Sequence, residues 1–350
     1  VSEPSVTEEL ASLDLSRHTT LRVGGPARRL VTVHTEAELI ECVRELDAAG
    51  EPLLILGGGS NLLVADAGFE GTVVKIATSG ITADMSACSG SIVTAAAGEN
   101  WDHLVAYTVA QEWSGLETMS GIPGLVGATP IQNVGAYGSD VSQTVETVRT
   151  WDRRTNQRAT FAPADCGFGY RTSRFKTEPG RYVVLSVTFQ LRLASLSAPI
   201  RYPELARRLN VEVGQRVDIA GVRDAVLALR AGKGMVLDPD DHDTWSAGSF
   251  FTNPILDPAQ ADRLPEAAPR YPADDGVKTS AAWLIEHSGF GRGFGNGTAS
   301  LSTKHTLALT NRGGADADAV LSLARQVRDG VRATFGIDLV PEPVLVGCEL

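Results

Sequence analysis

Three short clusters set polar or charged side chains among glycines and aromatics, the setting in which a few groups can do chemistry away from bulk water. The first, GYRTSRFK at 169–176, gathers Tyr170, Arg171, Arg174 and Lys176. A guanidinium is planar, permanently charged and forked, which suits it to a carboxylate or a phosphate. The second, AGSFFTNP at 247–254, places Ser249 between Gly248 and Phe250. No G-x-S-x-G elbow surrounds it, which argues against a hydrolase nucleophile. The third is Pro341-Glu342-Pro343, where two prolines restrain the carboxylate between them. Each has a plain alternative on composition alone: a solvated basic turn, a serine bonded to backbone, a charge ending a strand.

Two glycine-rich stretches supply a different resource, main-chain N–H groups that can approach a ligand closely. The longer, SGIPGLVGATPIQNVGAYG at 120–138, has five glycines and no charged residue. It reads either as backbone wrapped round phosphates and an aromatic cofactor or as a buried irregular connection. The shorter, Gly57-Gly58-Gly59-Ser60-Asn61, follows the apolar run LLIL. Leu62 stands where a dinucleotide fingerprint would need its third glycine, and the chain has neither G-x-G-x-x-G nor Walker A. By itself this loop reads as a tight turn with Asn61 left-handed.

These pieces must be positioned by elements that the hydrophobic pattern outlines. An apolar strand at about 28–33 precedes a helix opened by the capping-box pair Thr35 and Glu38 and stopped at Gly50. Strands are expected at about 53–56, 71–77 and 91–97, then a helix over about 101–112 with Asn100 as N-cap. Two strands with a turn near Thr155-Asn156 and a strand at 181–193 follow the long glycine stretch. Helices are expected at ELARRL, 218–231, 279–287 and about 316–334, with a strand at 306–311. The acidic run DPDDHD at 238–243 lacks the glycine and terminal glutamate of a calcium loop and reads as solvated.

A chain of 350 residues exceeds the usual single core, so two or three domains are expected. Its 43% hydrophobic and 21% charged residues are those of an average soluble protein, and no apolar run spans a bilayer. The N-terminal stretch is acidic with no apolar h-region, which points to a cytoplasmic protein. The four cysteines, Cys42, Cys88, Cys166 and Cys348, have no metal spacing and read as free thiols. A net charge of −11 disfavours nucleic acid and acidic membranes, so an anionic small molecule would need arginines and lysines concentrated in a cleft.

Taken in order, HTTLRVGGPA, LGGGSNLLV, SGIPGLVGATPIQNVGAYG, GYRTSRFK, GSFFTNP and PEPVLVG resemble the successive signature blocks of the UDP-N-acetylenolpyruvoylglucosamine reductase (MurB) family. The blocks run from about residue 17 to 347. The resemblance implies an α+β fold: an FAD-binding domain of the vanillyl-alcohol-oxidase (PCMH) type with two α+β subdomains, plus a smaller α+β substrate-binding domain. The expected layout is a tail at 1–16, the FAD domain at 17–195, the substrate domain at 196–325 and a segment at 326–350 returning to the active site.

The same resemblance implies non-covalent FAD, NADPH as hydride donor, and a UDP-sugar whose enolpyruvyl group is reduced for peptidoglycan precursor synthesis. Gly57, Gly58, Gly59, Ser60 and Asn61, with Gly121, Ile122, Pro123 and Gly124, would hold the pyrophosphate. Asn133, Gly135, Ala136 and Tyr137 would line the flavin. Ser249 would give a proton to C2, while Arg171 and Glu342 stabilise the enolate-like intermediate. Tyr170, Tyr202, Lys233 and Asn253 would bind substrate, Tyr202 belonging to the subclass with a tyrosine loop. A monomer without nucleic-acid partner or membrane insertion is expected. The competing readings are a hydroxy-acid or alcohol oxidase on the same FAD fold, and a nucleotide-sugar or flavin binder without turnover.

Overall fold

The computed structural model describes residues 13–86, 90–273 and 275–350. The helix Glu36–Ala49 begins at a complete capping box, Thr35 accepting from the Glu38 N–H while the Glu38 carboxylate accepts from the Thr35 N–H. Gly50, at φ 64°, ends it. Its face of Leu39, Ile40, Val43 and Leu46 is buried beside the three-stranded sheet ordered 27–33, 69–76, 53–56. Strand 53–56 runs parallel to 69–76, as a strand–helix–strand start requires.

An antiparallel sheet ordered 157–161, 145–152, 182–193, 90–96, 81–86 forms the larger platform. Strand 81–86 was not expected from the pattern: ITADMS shows little apolar alternation, and most of its described side chains are exposed. Helix Trp101–Ala110, capped by Asn100, buries Trp101, Leu104, Val105 and Val109 in the same core. The buried Trp101 indole donates to the Met119 carbonyl at 3.0 Å, tying the helix to the head of the glycine stretch.

The chain packs as two units. One comprises Arg28–Gly58 and Glu70–Gly232; the other contains Gly59–Phe69, Lys233–Leu350 and the segment ending at Ala27. The expected break near residue 195 lies inside the first unit. Helices Pro203–Leu209 and Ile219–Gly232 form a small cluster there, built on Ile200, Leu205, Val222 and Val226 with Tyr137 against it. A two-pronged bridge fixes this arrangement: Arg223 donates to both Asp102 oxygens at 2.7 and 2.8 Å. Of the expected tail, residues 1–12 lie outside the described residues. Asp14 and Leu15 do not behave as a tail, since Leu15 is buried and Asp14 caps a short 3₁₀ turn.

The second unit has its own core, in which the helix Ala317–Phe335 buries Val320, Leu323, Ala324, Val327 and Val331 against Phe250, Phe251 and Leu284. Strand 344–346 pairs in parallel with 62–64, joining the C-terminal segment to the residues after the first glycine loop.

Candidate active site

Each unit assembles one group of the candidate side chains. In the unit containing residues 70–232, the two glycine stretches meet. A Cβ added to Gly58 would lie 2.9 Å from the Gly124 Cα, a separation only glycine permits. Gly57 packs more loosely, its nearest neighbour being Leu125. Gly121, at φ 71°, is held by Asp102, whose Oδ1 accepts from the Gly121 N–H at 2.6 Å. Burial pushes the Asp102 pKa up, but Arg223 and the Gly121 N–H outweigh it and the carboxyl stays below its ordinary value. Ile122 and Pro123 are half-buried within this turn.

Beyond the stretch, Asn133 is buried and left-handed at φ 45°. Its side chain knots the loop to the arginine cluster: Nδ2 donates to the Gly169 carbonyl at 2.9 Å and Oδ1 accepts from the Ser142 N–H at 3.2 Å. Gly169 and Thr172 exchange backbone hydrogen bonds, so Tyr170 and Arg171 form the tip of a tight turn. Arg171 sits at φ 54°, unusual for a residue with a side chain. Its Nη2 donates to the Gly135 carbonyl at 2.8 Å and Nη1 to the Asn133 carbonyl at 3.4 Å. Two carbonyl oxygens thereby orient the guanidinium. Lys176 braces the turn from behind, donating to the Arg171 carbonyl and the Gln132 side chain. Tyr170 stacks loosely over the guanidinium at 5.6 Å.

Tyr137, at φ 51°, meets Tyr202 edge to face at 5.5 Å. Burial pushes its phenol up to about 12, so it remains a neutral hydrogen-bonding group at physiological pH. Arg230 enters the same electrostatic neighbourhood, which sequence reading missed. Burial pulls its guanidinium down to about 10, with Tyr137 and Asp102 favouring the charge and Arg171 opposing it. Nothing in an amphipathic helix singles out this one arginine, and Asp102 likewise looks like an ordinary first-turn carboxylate.

The second unit gathers Asn61, Ser249 and Glu342. Gly59, not Asn61, takes the left-handed conformation, at φ 61°, and a Cβ there would lie 1.9 Å from the His18 carbonyl oxygen. Asn61 instead faces the C-terminal segment. Its Nδ2 donates to the Glu342 carbonyl at 3.4 Å, and its own carbonyl accepts from the Val344 N–H at 2.9 Å. Glu342 N–H donates to the Phe250 carbonyl at 2.8 Å, and Thr252 N–H to Val340. Ser249 and Glu342 are thereby held on neighbouring backbones. Among the described residues the Ser249 hydroxyl makes no hydrogen bond, and the residue is half-buried. Phe250 and Phe251, both fully buried, anchor the segment on either side.

Asn253 accepts from the Ala281 N–H at 2.9 Å, at the start of helix Ala281–His287. Lys233 directly follows helix Ile219–Gly232 and is half-buried, as is Ser60. The acidic run is not wholly solvated: Asp243 is buried, accepting from Arg312 at 2.8 Å and from the Thr303 N–H at 2.9 Å. Those bonds moor the segment that leads into Ser249. Among the described residues no group of His, Cys, Asp and Glu could hold a metal ion, and Cys42, Cys166 and Cys348 are free thiols. Cys88 lies outside the described residues.

The glycine-for-glycine approach of two loops leaves backbone where a side chain would obstruct a bound diphosphate, so the residues present fit a dinucleotide cofactor. Residues 27–156 match the family described as FAD binding domain, and residues 238–346 match the C-terminal domain of UDP-N-acetylenolpyruvoylglucosamine reductase. The chain is thus a flavin-binding protein of α+β architecture, with an FAD-binding domain and a C-terminal part of the reductase type.

It is 61% identical to the UDP-N-acetylenolpyruvoylglucosamine reductase of Cutibacterium acnes, over 95% of this chain and 89% of that protein. It is 56% identical to the Streptomyces avermitilis protein of the same name, over 98% and 96%. Among solved structures, the reductase (MurB) of Thermus caldophilus superposes with a TM-score of 0.63 at 26% identity, covering 95% of this chain and 97% of that one. The chain belongs to the UDP-N-acetylenolpyruvoylglucosamine reductase family.

Proposed function

We infer that the protein reduces the enolpyruvyl group of UDP-N-acetylglucosamine enolpyruvate to give UDP-N-acetylmuramate, with FAD as cofactor and NADPH as hydride donor. The observation that carries the reading is identity of 54–61% to reductases over nearly the whole chain. FAD, when bound, would supply hydride transfer from NADPH to the enolpyruvyl C3. The chain's residues must then manage the charge that this creates.

A hydride added at C3 drives electron density onto C2 and the carboxylate. Arg171, fixed in orientation by two carbonyls, meets that charge without reorganising, which is the most effective form of electrostatic stabilisation. Glu342 shares the task from a backbone bonded to Phe250. Ser249 supplies the proton to C2. A serine hydroxyl is a weak acid, so neighbouring groups must assist it. Tyr202 and Lys233 bind near the substrate diphosphate, with Tyr170 and Asn253 as further substrate contacts. The glycines at 57–59 and 121–124 with Ser60 and Asn61 hold the cofactor diphosphate, and Asn133 to Tyr137 line the flavin ring.

Functionally, residues 17–195 carry the cofactor, 196–325 the substrate determinants and 326–350 Glu342. The segment 196–232 packs with the cofactor unit and brings Tyr202 to it. Among the described residues no helix is long and apolar enough to cross a membrane. We read the protein as a cytoplasmic monomer acting on small molecules, without a nucleic-acid partner.

An anaerobic two-step titration tests the function. NADPH should bleach the yellow protein and the enolpyruvyl substrate should restore the colour stoichiometrically. Yellow protein inert to NADPH would support a binder, and reduced protein reoxidised by oxygen but not by substrate would support an oxidase.

A further inference from the structure

A concavity whose wall shares only Tyr137 with the residues assigned above carries a cluster of cations. A pocket of about 370 Å³ lies in the unit containing residues 70–232, within the size range of small-molecule sites. Its lining includes Arg192, Arg201 and Arg216, together with the buried Glu117 and Thr118. The polar lining continues through Ser114, Gln143 and Gln190, so it offers donors more than an apolar seat.

The arginines are the informative part. In a chain with 42 acidic and 31 basic residues, an arginine has no shortage of carboxylates to pair with. Arg28, Arg153, Arg181, Arg223 and Arg312 all do so at 2.5–2.8 Å. Arg192 and Arg201 make neither an ion pair nor a side-chain hydrogen bond among the described residues, and Arg216 donates only to the Ser197 carbonyl at 2.9 Å. The acid in the pocket wall, Glu117, feels the charge of Arg192 but forms no ion pair with any of the three. Glu117 is turned to the backbone, accepting from the Gly115 N–H at 2.6 Å, and burial raises its pKa. Three cations thus surround one concavity whose single carboxylate is engaged elsewhere.

We propose that this pocket is a second anion site, taking a small, multiply charged oxyanion of the phosphate or polycarboxylate class. The forked donors of Arg192 and Arg201 are its principal ligands. Arg216 is the third, with its guanidinium already braced on Ser197. The site borders the turn that carries Tyr137: a Cβ on Gly138 would lie 3.2 Å from the Arg201 Cβ, so the Arg201–Tyr202 segment packs on that turn. Because Tyr202 is assigned to the substrate, the test must separate this pocket from the substrate's own diphosphate site.

Inorganic pyrophosphate is the probe, titrated calorimetrically into FAD-loaded enzyme saturated with UDP-N-acetylmuramate. One pyrophosphate should bind per chain, and Arg192→Gln and Arg201→Gln should each weaken it about tenfold or more, as for one charged hydrogen bond. Both variants should keep the wild-type melting temperature and flavin content, since neither side chain holds the fold together. Absence of binding to the product-saturated enzyme, binding that the product displaces, or affinity unchanged in both folded variants would each overturn the proposal.

Discussion

Gly58→Ala is the perturbation that most directly interrogates how the two glycine loops cooperate. Gly58 has an ordinary φ, so alanine is acceptable to the local backbone; the obstacle is Gly124, whose Cα would lie 2.9 Å from the new methyl. Carbon atoms rest at about 3.5 Å or more, so the loops must separate by roughly half an ångström. Forced separations of packed backbone cost about 1–3 kcal/mol. In the flavin-free protein the loops can splay apart and relieve most of this. If both loops hold the cofactor diphosphate as proposed, they can no longer splay apart in the holoprotein, and the strain would fall on binding. The expected outcome is a rise in the FAD dissociation constant of roughly 5- to 150-fold at 1.4 kcal/mol per decade. Fluorescence titration of FAD into deflavinated protein measures it. Gly232→Ala is the matched control, because a methyl there meets nothing within 4 Å, and its affinity should be unchanged. A Gly58→Ala protein that melts earlier yet binds FAD within twofold of wild type would refute the reasoning.

Other outcomes follow from the same structure. Lys233→Ala should chiefly raise KM, as for binding shared by ground and transition states, whereas Arg171→Ala should chiefly lower kcat; equal kcat losses would show one is misassigned. Acid precipitation should release all flavin to the supernatant, because no attachment residue is expected in the loops; yellow colour in the pellet would contradict non-covalent binding. Asp152→Asn should destabilise the protein by about 1–3 kcal/mol at neutral pH, since buried Asp152 accepts from Arg181 at 2.8 and 3.1 Å. Its hydrogen bonds to Arg181 hold that carboxyl below the usual range, so its contribution is complete above about pH 4 and is lost as pH falls further. The stability deficit of the variant should therefore shrink in acid, and a deficit constant down to pH 3 would refute the assignment.

Much of this was legible before any coordinates. The Thr35–Glu38 capping box, the Asn100 cap and the apolar stripe of 317–335 are local signals, and local signals survive into the fold. The glycine blocks and the three polar clusters were legible as chemistry only when read in sequence order. What escaped detection was set by distant partners. Asp102 looks like a surface acid at the start of a helix, and only Arg223, 121 residues away, and Gly121 give it a task. The run at 238–243 reads as solvated because its burial depends on Thr303 and Arg312, more than fifty residues on. The packing of 203–232 beside Tyr137 rests on a small apolar cluster whose residues do not announce their partner.

The central claim is that Ser249 gives the proton that completes substrate reduction, and stopped-flow measurement of the two half-reactions in Ser249→Ala tests it most directly. Reduction of bound FAD by NADPH needs no proton from the protein, so that step and the flavin spectrum should be nearly unchanged. Reoxidation by the enolpyruvyl substrate should slow by the ~10²–10⁴ typical of losing a general acid, and Ser249→Cys should recover part of it. Equal slowing of both half-reactions, or of neither, would contradict the account and remove Ser249 from the mechanism.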